Sequence, residues 1–161
     1  MTESRQRTKK LTSMAMLCAL AYLMMLVGRI PVTLFLKYDP KDIVIAIGGF
    51  LFGPVSAFVI SAVVSLIEMV TVSETGPIGL LMNVLSTIAF VCPAAFLYHR
   101  RRSLSSAVVG LILGGVSMTV VMLLWNYLIT PIYMGMPRAA VADLLVPVFL
   151  PFNLSKYALN A

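Results

Sequence analysis

The sequence is short of charge and of the residues with which most enzymes work. Only 11% of its 161 residues are Asp, Glu, Lys or Arg, while 60% are hydrophobic. Its one histidine, His99, leaves too little material for a histidine-based metal site or a Ser/His/Asp triad. The two cysteines, Cys18 and Cys92, lie in different apolar runs without CxxC spacing and read as packing residues. No GxxxxGK[ST] run occurs, so ATP hydrolysis by a P-loop is excluded and any active transport must draw its energy from a partner or an ion gradient. A catalytic set would have to be assembled from Asp39, Asp42 and Glu68 alone, which argues against an enzyme.

What is present is apolar. A mean hydropathy of +0.99 lies far outside the soluble range and leaves few polar residues to cover a water-facing surface. The expectation is an all-α, polytopic membrane protein, one integral membrane domain over residues 1–161 with a short basic tail over 1–10. The net charge of +6 is concentrated in Arg5, Arg7, Lys9 and Lys10 before the first span, and in Arg100, Arg101 and Arg102 in a later loop. Such clusters mark loops that stay in the cytoplasm, so a cytoplasmic N-terminus is expected. No aromatic residues are interleaved with them as a nucleic-acid stacking platform requires.

The apolar runs predict six helices. The first covers Leu11 to Val27 and is read as an uncleaved span rather than a signal peptide. A loop from Val32 to Asp42 follows. The 30 residues from Ile43 to Val72 divide at Gly53 and Pro54, because proline lacks an amide donor and disfavours helix in the residue before it. That division gives spans of Ile43 to Phe52 and Val55 to Val72, then Ile78 to Tyr98, and it keeps both basic clusters on one side. A fifth span runs from about Leu104 to Thr130, with Pro131 to Asp143 outside. The sixth is expected to begin near Leu144, with Pro147 and Pro151 making its start irregular; about 15 residues follow Val146, fewer than the roughly 20 of a full span, so it reads as truncated.

Within this frame Lys37 to Pro54, KYDPKDIVIAIGGFLFGP, packs alternating charges, a short apolar run and a glycine-rich turn together. The run from Ile43 to Phe52 is too short to cross a bilayer squarely, and short glycine-interrupted spans often line binding sites. A solute pocket capped by the Lys37–Asp42 loop is the functional expectation; a water-exposed loop before an ordinary helix is the alternative.

Other polar residues sit inside apolar runs. Asn126 lies in WNYLITP, and Asn153 and Lys156 lie in PFNLSK, three apart on one helix face that Asn160 extends. A lysine inside an apolar helix needs an acidic partner, carbonyls or a polar ligand, unless it snorkels to the interface. Glu68 is first a structural ion-pair candidate, with Lys156 as one partner, and second a proton-coupling carboxylate. Asn83 is a further intramembrane polar residue. Trp125, Tyr127 and Tyr133 fit an aromatic belt, or the border of a planar ligand. Small residues recur four apart at Ala15 and Ala19, Gly49 and Gly53, and Gly110 and Gly114, a spacing that permits close helix approach.

The ordered blocks KYDPKD with IGGFLFGP, GPIGLLMNVLS, WNYLITPIYMGMPR and PFNLSK resemble the riboflavin-specific substrate-binding subunits of bacterial energy-coupling factor transporters. The resemblance spans nearly the whole chain. It implies a six-helix protein of the bacterial cell membrane that binds riboflavin from outside as transported ligand, with no cofactor. It also implies work with a transmembrane coupling subunit and two cytoplasmic ATPases. By resemblance Asn126, Asn153 and Lys156 contact the flavin, the loop carrying Tyr38, Asp39 and Asp42 closes over it, and Ala15 and Ala19 dock on the coupling subunit. An internal packing contact is the alternative for the two alanines, and another vitamin or base is the alternative for the ligand. Such a pocket suits riboflavin chemically, since a flat ring with carbonyl edges needs apolar walls, asparagine amides that donate and accept, and a lysine that donates.

Overall fold

The computed structural model describes residues 3–33, 36–73 and 75–161. Met1 and Thr2 of the basic tail, Leu34 and Phe35 of the loop after the first span, and Glu74 of the next turn on that side lie outside the described residues. Helix α1 runs Glu3–Gly28, so the basic tail is its first turns rather than a separate segment. Two short antiparallel strands follow, β1 (Ile30–Thr33) and β2 (Leu36–Tyr38), paired Ile30 to Tyr38 and Pro31 to Lys37. The sequence offered only a loop here.

Helices α2 (Lys41–Phe52) and α3 (Pro54–Thr71) are divided where expected. Gly53 has φ 96° and ψ 170°, a conformation that side chains disfavour, and Pro54 starts α3 where its missing amide costs no hydrogen bond. Helix α4 spans Gly76–Arg101 and α5 spans Leu104–Met134, each carried past the predicted end. His99 therefore sits in the last turn of α4, its ring Nε2 3.2 Å from the Gly49 carbonyl oxygen, rather than in a loop.

The last helix differs most from expectation. It begins at Arg138, not near Leu144, and runs through α6 (Arg138–Leu144), a π-helical turn (Leu145–Phe149) and α7 (Leu150–Asn160). The wider π turn takes up Pro147, which would otherwise crowd the carbonyl four residues back. Arg138–Asn160 is thus a 23-residue stretch, long and apolar enough to span. Among the described residues five helical stretches meet that criterion, and the short α2 completes the bundle of six.

The bundle is apolar outside as well as inside. Phe58, Leu66, Val116 and Leu124 are exposed, as hydrocarbon solvent requires, while Ile45, Ile60, Val64, Phe90 and Met118 fill the centre. Helices α4 and α5 lie closest together. A Cβ on Gly110 would stand 2.8 Å from the Ala94 Cα, and one on Gly114 only 2.1 Å from the Phe90 carbonyl oxygen. These glycines let two backbones touch, which in lipid replaces the hydrophobic drive that water would supply.

Candidate functional site

Site residues from α2, α4, α5, α7 and the hairpin meet in the interior. On α5, Asn126 is buried; its Nδ2 donates to the Met122 carbonyl oxygen at 2.7 Å, and its Oδ1 accepts from Thr130 Oγ1 at 3.1 Å. On α7, Asn153 Nδ2 donates to the Phe149 carbonyl oxygen at 2.7 Å, using a backbone group of the π turn. Both amides are thereby fixed in orientation by their own helices. Lys156, one turn beyond Asn153, is buried and places its Nζ 3.3 Å from Asp42 Oδ2 and 3.3 Å from Ser86 Oγ.

Asn126, Asn153 and Lys156 line one small cavity of about 20 Å³ with Leu36 and Lys37 of the hairpin, Asn83 and Ser86 of α4, and Met82, Met122 and Phe152. Met82 and Asn83 also border a neighbouring cavity of about 90 Å³ lined by Arg29, Asp39, Glu68 and Tyr133. A third, apolar cavity of about 20 Å³ brings Trp125 and Tyr133 against Met82. On the other side of Lys156, a cavity of about 280 Å³ opens between the hairpin and α7, with Tyr38 and Phe152 on its wall. Tyr127 stays on the exposed face of α5.

Among the described residues, six charges that pair with one another are gathered beneath the hairpin. Arg29 Nε donates to Asp39 Oδ1 at 2.7 Å, and its guanidinium also reaches Glu68. Lys41, 0% exposed, pairs with Glu68 and lies 3.7 Å from Asp39. Asp42, also 0% exposed, holds Lys156 with one oxygen and accepts from Thr87 Oγ1 at 2.6 Å with the other. Three cations and three carboxylates balance, as buried charges must. Burial would raise the pKa of Asp39, but the hydrogen bond from Arg29 and the nearby lysines outweigh it and hold the carboxyl below its usual range. Burial would lower that of Arg29; Asp39 and Glu68 prevail and raise it. Burial, reinforced by Asp42, pushes the Tyr38 hydroxyl up, and that hydroxyl donates to Asn160 Oδ1 at 3.3 Å.

Glu68 is accordingly an ion-pair residue, but its partners are Arg29 and Lys41, whereas the sequence suggested Lys156. Lys156 does not snorkel; Asp42 is its partner. The structure brings Asn126, Asn153 and Lys156 together, sets Asp42 behind the ammonium, and places Asp39 in the adjoining cavity. The sequence missed Ser86 and Thr87. With Asn83 they form an i, i+3, i+4 polar stripe on α4, a pattern visible once its phase is compared with buried Phe90. Arg29 carried no functional reading in the sequence. Ala15 and Ala19 lie on the exposed face of α1, whose buried residues are Ala21 and Met25. Among the described residues no group of acidic, histidine and cysteine side chains could hold a metal ion.

Residues 9–161 match the family described as the ECF transporter, substrate-specific component. The chain belongs to that family. It is a transporter component, not an enzyme, and a multi-pass membrane protein. The riboflavin transporter FmnP of Bacillus subtilis (strain 168) is 29% identical over 163 residues, covering 93% of this chain and 85% of the relative. The riboflavin transporter RibU of Staphylococcus aureus (strain TCH60) is 29% identical over 160 residues, covering 94% and 84%. A solved structure of the S component of a bacterial ECF transporter superposes with a TM-score of 0.81 at 27% identity, covering 96% of this chain and 89% of that one.

Proposed function

We propose that this S component binds riboflavin, takes it from outside the bacterial cell membrane, and delivers it with a transmembrane coupling subunit and two cytoplasmic ATPases. The observation that carries the ligand is the convergence of Asn126, Asn153 and Lys156 on one buried cavity beside methionine and aromatic walls. Two oriented amides and an ammonium offer a donor and acceptor set for the carbonyl-bearing edge of a flavin, and Phe152, Met82 and Trp125 offer apolar surface for its ring. Both relatives named above are riboflavin transporters.

On this reading the N-terminus and the α4–α5 turn, which carry the basic clusters, face the cytoplasm, and the hairpin faces outward over the site. Ala15 and Ala19 supply a smooth strip on the outer face of α1 on which a helix of the coupling subunit docks. The test is to purify the protein from riboflavin-fed cells and record its visible spectrum, then titrate the ligand-free protein with riboflavin and with unrelated vitamins. A co-purified yellow chromophore and saturable quenching of flavin fluorescence are expected. Saturation by a different vitamin and none by riboflavin would transfer the fold to another solute.

A further inference from the structure

The two carboxylate oxygens of Glu68 reach different ends of the hairpin. One meets Arg29, the residue before β1, and the other meets Lys41, the first residue of α2, just beyond β2. Glu68 itself belongs to α3, outside the hairpin, and is 3% exposed. A single side chain therefore closes the base of the hairpin from both sides, and Asp39 doubles the tie to Arg29. Toward the tip of the same hairpin Leu36 packs against Val141 and Phe149, and with Lys37, nearer the base, it covers the cavity of Asn126, Asn153 and Lys156. Glu68 lines no part of that site's own cavity; it borders the neighbouring one, which shares Lys37, Met82 and Asn83 with the site.

We propose that Glu68 is a positioning residue that clips the hairpin to α3 and so sets how often the binding site opens. The kinetic part rests on the riboflavin reading above; the clip itself does not. If the ligand passes the hairpin in both directions, a clip that holds it closed equally with and without ligand slows entry and exit alike. Removing the clip then speeds both and leaves their ratio nearly fixed. A residue that touches ligand behaves differently, because its loss raises the exit rate alone.

The experiment compares wild type, Glu68→Gln and, as a contact control, Asn126→Ala, by stopped-flow quenching of riboflavin fluorescence in detergent. For Glu68→Gln, association and dissociation are both expected to rise about tenfold or more, with Kd moving less than about threefold. Asn126→Ala should change dissociation only. Since Glu68→Gln leaves Lys41 short of an anion, the charge-balanced pair Glu68→Gln with Lys41→Met is measured alongside and should show the same pattern.

A second arm needs no ligand: amide hydrogen exchange of the ligand-free proteins should quicken over residues 30–33 and 36–38 in both variants and stay unchanged in α4 and α5. Unaltered exchange in the hairpin, or exchange raised throughout the bundle, overturns the clip, as does a change in dissociation alone. A wild type that fails to quench riboflavin sinks the ligand assignment, and the exchange arm still decides the clip.

Discussion

Lys156 Nζ stands 3.3 Å from Asp42 Oδ2, joining the last helix to the start of α2 through an ion pair whose partners are both buried. The lysine that is proposed to meet the ligand is thus aimed by a carboxylate that the ligand need not touch. Lys156→Met should weaken riboflavin binding about ten- to a hundredfold, the worth of a hydrogen bond from a charged donor. It should also destabilise the protein by several kcal/mol, because Asp42 is left buried and unpaired. The double variant Lys156→Met with Asp42→Asn should recover most of the thermal stability and none of the affinity. Equal melting temperatures for the single and double variants would show that the pair carries no mutual stabilisation.

Asn126→Ala removes a neutral hydrogen-bonding group, so affinity should fall by about two- to tenfold in a fluorescence titration. Thr130→Val frees Asn126 Oδ1 from its partner while leaving the amide in place, and should produce a smaller loss in the same direction. A Thr130 variant as defective as the Asn126 variant would shift the weight from ligand contact to orientation.

How much of this was legible beforehand depended on the range of the interaction. The Gly53–Pro54 break was readable because backbone chemistry acts locally. The shared face of Asn153, Lys156 and Asn160 was readable from helical spacing, and all three are buried. The partners of Glu68 were not readable, since Arg29, Lys41 and Lys156 are equally plausible cations until the folding of three segments chooses among them. The start of the last helix was hidden by Pro147 and Pro151, whose usual meaning as helix breakers was overridden by a π turn within a packed bundle. The hairpin escaped notice because its strands are only 4 and 3 residues long and carry no glycine turn signal.

Ala15→Trp with Ala19→Trp should leave riboflavin affinity unchanged, because both alanines lie on the exposed face of α1 and away from the cavity. ATP-dependent uptake and co-purification with the coupling subunit should both be lost, since bulky side chains prevent close helix approach. Normal uptake by the double variant would assign that face to lipid.

Acidification should weaken the base of the hairpin. Asp39 has a lowered pKa when folded, so the ionised form is favoured by folding and its contribution is complete above the ordinary carboxylate value of about 4. As pH falls through the lower folded value that contribution disappears. Thermal unfolding in detergent between neutral pH and about pH 3 should show a declining midpoint, and Asp39→Asn should flatten part of the slope. An Asp39→Asn protein with the wild-type slope would place the acid sensitivity elsewhere.

The π turn also fixes an angle. Val141 and Asn153, both buried, are twelve residues apart. At about 100° per residue an uninterrupted α-helix would set them about 120° out of phase, and the extra residue of a π turn takes back about 100° of that. The helix can therefore press Val141 against the hairpin at one end and turn its polar amides toward α5 at the other. Deleting a single residue between Leu145 and Phe149 would rotate Asn153, Lys156 and Asn160 together toward lipid, erasing the site without altering any residue that lines it.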